Sequence, residues 1–371
     1  MILPSRRNLV RTVPHGNGLA VRKLFDAPED WRAELDLLQR LSGRMDAPRL
    51  LASAPGIILM EYTPFPTLLD ELERQEREGF APAPWKALRR WLAQMRDLTG
   101  RLPGDGNLRN FLWDVRQSRI IGVDYEDYRA ARLDEALAQI AAFVLEYAPQ
   151  DTPLKRQAAR MLFDGEPEAQ RLALRQRRAN RRTDAAPFSF IVLAGGRSSR
   201  MGRDKAMLRL CGSSLLELQL DKARLLGSDD ILISGAREAQ GAARAVPDAY
   251  PDRGPLGGLH ACLREARHPI CAVLSADAPL IPPCLLRDLV RAHAQGSASV
   301  TMAVHGDRWE PLIGVYDRAL HAQIEPLIRE HGAPVRALME SCPCQRWPSQ
   351  LPEPFWTNCN TPEAYQSLLN G

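Results

Sequence analysis

The stretch Phe190–Lys205 reads FIVLAGGRSSRMGRDK. Its first four residues, Phe190 to Leu193, are apolar and read as a short buried strand. The strand empties into Gly195-Gly196, and the following loop carries Arg197, Arg200, Arg203 and Lys205. Two adjacent glycines let the backbone approach a ligand that side chains would keep away. Successive backbone N–H groups in such a loop form an anion-binding concavity. Arginine and lysine add positive charge for a polyphosphate. This is the build of a nucleotide-phosphate site at the carboxyl end of the first strand of an open α/β sheet. It is not a Walker A loop, which needs GxxxxGK[ST]. The same residues fit a strand, a loop and a solvated basic surface. The spacing of Arg200 and Lys205 favours the phosphate site.

Downstream, the chain alternates. Helical leucine spacing runs over 214–226, a strand over 230–234, and a loop and helix over 255–267. A strand at 270–275, a helix at about 282–295 and a strand at 298–304 follow. This order predicts a mainly parallel sheet covered by helices, with ligands at the carboxyl ends of the strands. Asp277 lies at one such end. A carboxylate there suits Mg²⁺, which takes one or two carboxylates plus phosphate oxygens; it equally suits a cap for the next loop.

The 371 residues suggest two domains. Hydrophobic content of 45% and charged content of 25% describe an ordinary globular chain. A net charge of +4 gives no argument for nucleic-acid binding. No apolar run reaches the roughly 20 residues of a membrane helix, and no secretory signal core opens the chain. A cytoplasmic protein with no membrane or nucleic-acid partner is expected. The seven cysteines lie between Cys211 and Cys359 without a CxxC pair, so free thiols are expected. Cys342 and Cys344 flank Pro343 without ligand-spaced histidines, a weak case for metal. The arginine-rich run 170–184 reads as a solvated helix end and linker rather than a nucleic-acid patch.

The stretch from Leu193 to Leu208 resembles the signature LAGGxSxRMGxDKAxL of nucleotidyltransferases that attach a nucleotide to the molybdenum cofactor. Further blocks in the family's order are Gly254-Pro255-Leu256-Gly257-Gly258, Leu274 to Pro279, Glu310-Pro311-Leu312 and Asn358 to Glu363. The resemblance covers roughly residues 188–371. It implies Mg²⁺ on Asp277, GTP as the nucleotide and molybdopterin as the acceptor. Nucleotide contacts would come from Leu193, Ala194, Gly195, Gly196, Lys205, Asp248 and Asp277, with Lys205, Arg200 and Asp277 as the catalytic set. Gly195, where a cytidylyl branch has alanine, goes with guanine and leaves room for the larger purine. Arg237 departs from the family's usual polar residue. Asn358, Asn360, Arg308 and Glu310 are acceptor-side candidates, the latter two on an expected loop. Molybdoenzymes or other cofactor-assembly proteins are the implied protein partners.

The first half resembles aminoglycoside-phosphotransferase-like and lipopolysaccharide-type kinases. Gly104 to Leu112 resembles HGDxxxxNF, with Asp105 as base and Asn110 as metal ligand. Ile120 to Asp127 resembles IDFED, with Asp124 as Mg²⁺ ligand. Lys23 would contact ATP, Glu34 on a helix over 30–41 would pair with it, and 60–62 would be the hinge. Pro103 replaces the usual histidine, and no glycine-rich loop precedes Lys23. Either a working kinase or an inert docking domain fits. The expected architecture is α/β: a Rossmann-like nucleotidyltransferase domain at 188–371, a linker at 166–187, and a small two-lobed α+β kinase-like domain at 1–165. Two rival readings stand beside the guanylyltransferase: a kinase and nucleotidyltransferase acting in turn on another small molecule, and a cofactor-carrying scaffold.

Overall fold

Every residue of Ser189–Leu193 is buried, and the strand lies third in a seven-stranded sheet. The computed structural model describes residues 2–3, 8–165, 167–168, 170–172, 187–194, 207–235, 242–250, 253–331 and 334–370. Across the sheet the order is Arg244–Val246, Asp230–Ser234, Ser189–Leu193, Ile270–Ser275, Arg308–Asp317, Val300–His305 and Cys344–Pro348. The first four run parallel. Arg308–Asp317 is antiparallel to both of its neighbours.

A continuous apolar strand is what a sheet buried on both faces requires. Phe190 and Val192 point into one core with Leu216, Leu220, Leu286 and Leu289. Ile191 and Leu193 point into the other with Leu256, Leu259, Leu263 and Ile324. The helices Leu215–Leu225 and Pro283–Gln295 cover the first face. Gly254–Glu265 and His321–His331 cover the second. Each fully buried side chain contributes about 1.5–3 kcal/mol, so a charge at Ile191 would cost the domain much of its margin.

Local chemistry starts these helices. Ser214 caps the helix Leu215–Leu225 in a capping box: its Oγ accepts from Glu217 N at 3.2 Å, and Glu217 Oε2 accepts from Ser214 N at 2.8 Å. Pro283 sits in the first turn of its helix, where a missing N–H costs nothing.

One expectation is corrected. Arg308 and Glu310 lie on the long strand Arg308–Asp317, not in a loop. Its exposed Arg308-Trp309 start and internal Pro311 disguise it. The register skips from Met302↔Gly314 to Ala303↔Glu310, so Pro311 falls in an irregularity where no ladder N–H is needed.

By contact, the chain forms two compact units. One gathers residues 1–28, 52–59 and 185–371; the other gathers 29–51 and 60–184. Within the first, Leu9–His15 and Gly18–Leu24 form a hairpin with the two-residue loop Gly16-Asn17. Gly16 takes φ +54° there, so the sequence HGNG is a tight turn. A five-stranded sheet runs Ile2–Leu3, Leu9–His15, Gly18–Leu24, Ile57–Glu61, Leu50–Ala54. The second unit is built on the helices Pro28–Leu41, Leu68–Glu78, Ala83–Thr99, Leu133–Glu146 and Pro153–Leu162. It also holds the hairpin Phe111–Asp114 with Arg119–Gly122.

Candidate active site

Parallel pairing brings several chain ends to one edge. Leu193 is in register with Ser234 on one side and Ser275 on the other. Across this carboxyl edge the order is Asp248, Ser234, Leu193-Ala194 and Asp277, each just at or beyond a strand end. Antiparallel Arg308–Asp317 begins at the same edge, because Leu274 pairs with Ile313 and Glu310 lies before it.

Asp277 is held from several sides. Ala276 N donates to Leu193 O at 3.0 Å, tying the loop to the central strand. Ser275 Oγ donates to Asp277 Oδ1 at 2.6 Å and orients the carboxylate. Cys359 N donates to Asp277 O at 2.8 Å. That bond brings the Asn358-Cys359-Asn360 block beside the loop, although sequence separates them by about eighty residues. Asn358 is half-buried and Asn360 exposed. Glu310 is half-buried, and burial, aided by the charge of Asp277, pushes its carboxyl up against the opposing pull of Arg308 and His305. Arg308 Nε lies 3.7 Å from Glu310 Oε1. Carboxylates and a hydroxyl are the hard oxygen donors that Mg²⁺ prefers.

At the other end of the edge, Asp248 Oδ1 is buried with no hydrogen-bond partner among the described residues. Burial raises the pKa of this carboxyl. Gly258 explains the close packing: a Cβ there would lie 2.8 Å from Ser234 Oγ and 3.4 Å from Asp248 Oδ1. The helix Gly254–Glu265 therefore reaches the strand ends only because residue 258 has no side chain.

Gly195, Gly196, Arg200, Lys205 and Arg237 lie outside the described residues. Leu193 and Ala194 lead directly to the first four of them. Ser234 and Ser275 were not singled out from the sequence, and Gly258 entered only as the last residue of the Gly254–Gly258 block. A small residue closing each apolar strand was the only signal for the two serines.

In the second unit, the 104–110 and 122–127 segments are fastened together. Gly104 N donates to Asp127 O at 2.6 Å, and Val123 N to Asn110 O at 2.8 Å. A Cβ on Gly104 would lie 2.6 Å from Asp127 Oδ1. Asp105 Oδ1 accepts from Asn107 N at 3.1 Å, shaping its turn. Asp124 adopts φ +73°, a left-handed conformation that aspartate tolerates better than most residues. Glu34, Asp124 and Glu126 each bring a carboxylate oxygen within 4.8 Å of the others. Glu126 was not singled out from the sequence, and Glu34 was expected only as a lysine partner. Lys23 is buried on Gly18–Leu24, in the other unit, with Nζ 4.8 Å from the Phe25 ring centroid.

All seven cysteines are free. Cys342 and Cys344 sulfurs lie 3.8 Å apart, and burial holds the Cys342 thiol up at about 12. No described helix is long and apolar enough to cross a membrane.

Residues 190–347 match the family model described as MobA-like NTP transferase domain. A molybdenum cofactor guanylyltransferase of Pseudomonas paraeruginosa is 36% identical over 183 residues, 48% of this chain and 92% of that protein. One from Xanthomonas euvesicatoria is 32% identical over 188 residues, 50% of this chain and 95% of that protein. The solved molybdopterin-guanine dinucleotide biosynthesis protein A of Archaeoglobus fulgidus aligns with 49% of this chain and 97% of its own. Its identity is 22% and its TM-score 0.43. With 92% and 95% of the two guanylyltransferases spanned at 36% and 32% identity, the chain belongs to the MobA-like NTP transferase family and carries a nucleotidyltransferase domain in its C-terminal half.

Proposed function

We propose that the C-terminal half transfers GMP from GTP to molybdopterin and releases pyrophosphate. The observation that carries this reading is the pair of acids at one sheet edge: Asp277, oriented by Ser275, and Asp248, with an enclosed oxygen that has no partner among the described residues. Guanine presents N1–H and N2–H donors on one edge, which a carboxylate can accept together. Cytosine presents only one amino group there. Asp248 thus favours guanine on chemistry, in line with what the names of the relatives say of those proteins.

Asp277 would hold Mg²⁺, with Glu310 close enough to share its field. When bound, the ion neutralises phosphate charge and acts as a Lewis acid. Lys205 and Arg200 would stabilise the triphosphate, and Gly195-Gly196 would admit it to the backbone. The acceptor phosphate is already anionic, so no strong general base is needed. The protein's work is positioning and neutralisation. Asn358, Asn360, Arg308 and Glu310 would face the acceptor. The test is pyrophosphate release by the purified chain with Mg²⁺ and molybdopterin. Release with GTP but not CTP or ATP, abolished in Asp277→Ala, is expected. Release with CTP alone would overturn the guanine assignment.

For residues 1–165 we propose a kinase-like module, joined by 166–187 to the module at 188–371. The carboxylates of Glu34, Asp124 and Glu126, which converge within 4.8 Å in one unit, support this reading. Asp105, Asn110 and Asp124 would form its phosphotransfer site. ATP-dependent phosphotransfer, lost in Asp105→Ala and in Asp124→Ala, is expected. A phosphorylated sugar, alcohol or amino-alcohol product would make the protein bifunctional.

A further inference from the structure

Three backbone carbonyls of the loop that carries Asp277 are gripped by one helix. Gln219 Nε2 donates to Ser275 O at 2.9 Å and to Ala278 O at 3.1 Å. Lys222 Nζ donates to Pro279 O at 2.7 Å. Gln219 and Lys222 stand three apart on Leu215–Leu225, so they share a face. Both are buried, Lys222 to 1% exposure and Gln219 to 0%. Leucines occupy the neighbouring buried positions, and an amide or an ammonium in such a place costs stability unless it is bonded. Here every donor contact found for the two side chains is spent on residues 275–279, on both sides of Asp277.

We propose that Gln219 and Lys222 are positioning residues that preset the 275–279 loop so that the Asp277 carboxylate meets its divalent cation without rearrangement. This rests on the reading of Asp277 as the metal ligand. Neither side chain touches nucleotide or metal. They act through the backbone, as groups behind a metal ligand commonly do, at about 10–100-fold in metal affinity each.

The experiment uses full-length Lys222→Met and Gln219→Met and reads Mn²⁺ binding directly by electron paramagnetic resonance. A non-hydrolysable GTP analogue is present throughout, and Mg²⁺ titrations of pyrophosphate release run in parallel. The expected result is a 10–100-fold weaker metal affinity, with analogue binding in EDTA changed less than twofold. A folded variant with unchanged metal affinity overturns the proposal. So does the failure of both variants to fold, which would assign the side chains to core stability alone. Asp277→Ala separates the two readings: if it binds Mn²⁺ as the parent does, the metal assignment fails first.

Discussion

Asp248 Oδ1 is enclosed yet has no partner among the described residues, which makes it a binding group held at a cost. Burial raises its pKa, so folding favours the protonated form. The unliganded protein should therefore lose stability as pH rises from the ordinary carboxylate value near 4 through the raised folded value, and stay lower above it. Asp248→Asn removes that slope. The variant should be more stable than the parent at pH 7, with Tm up by about 2–4 °C for roughly 1 kcal/mol. The same change should raise the KM for GTP by about 10–100-fold, since a charged acceptor is replaced by a group with one acceptor and one donor. Thermal scans from pH 4.5 to 8 and steady-state kinetics check both halves. Asp277 was legible in the sequence because it follows an apolar strand and lies in a family block, whereas Asp248 was legible only through the family resemblance. The sequence left Ser275 unremarked, because a serine beside an acid carries no spacing signal of its own.

At the scale of elements, Gly258 and Lys222 show what pattern reading reaches and what it misses. GPLGG was readable as a block, but its reason is geometric: a Cβ at 258 would meet Ser234 Oγ at 2.8 Å. Gly258→Ala should force the helix Gly254–Glu265 away from the strand end, costing about 1–3 kcal/mol and raising the KM for GTP. Urea denaturation and kinetics would show the two effects together. Lys222 was hidden within a run of helical leucines, where a lysine reads as solvent-facing. Burial instead pushes it down to about 7, against about 10.4 in an unfolded chain. Between those values the unfolded chain binds the extra proton, so stability should climb with pH across that window and be lost again as pH falls through it. Lys222→Met should flatten the climb. Denaturant midpoints at pH 7 and 9.5 for parent and variant are the measurement, and equal pH slopes would refute the buried neutral amine.

At the scale of the whole molecule, the sequence could not reveal how stretches far apart in the chain share one compact unit. Periodicity reports which face of an element is apolar, not which distant stretch covers it. The helix Leu215–Leu225 carries Asp221, fully buried, which accepts from Arg11 at 3.0 Å, from Arg224 at 2.7 Å and from the buried Arg22. Arg22 Nε and Nη1 have no partners among the described residues, and burial lowers its pKa. Arg22 therefore depends on Asp221, while Asp221 retains Arg11 and Arg224 when Arg22 is gone. The costs should be unequal. Asp221→Asn leaves a buried guanidinium uncompensated and should lose about 3–5 kcal/mol. Arg22→Met removes the unsatisfied donors with the charge and should lose only about 1–2 kcal/mol. The double variant should cost less than the sum by about 2 kcal/mol, because the charge that Asp221→Asn strands is no longer there. A double-mutant cycle by urea denaturation, at low and high salt, measures this coupling. The interaction should survive salt, since a fully buried pair is screened far less than a surface one. Additive costs would mean that Arg22 and Asp221 do not depend on each other, and that the strand Gly18–Leu24 is held to this unit by its apolar residues alone.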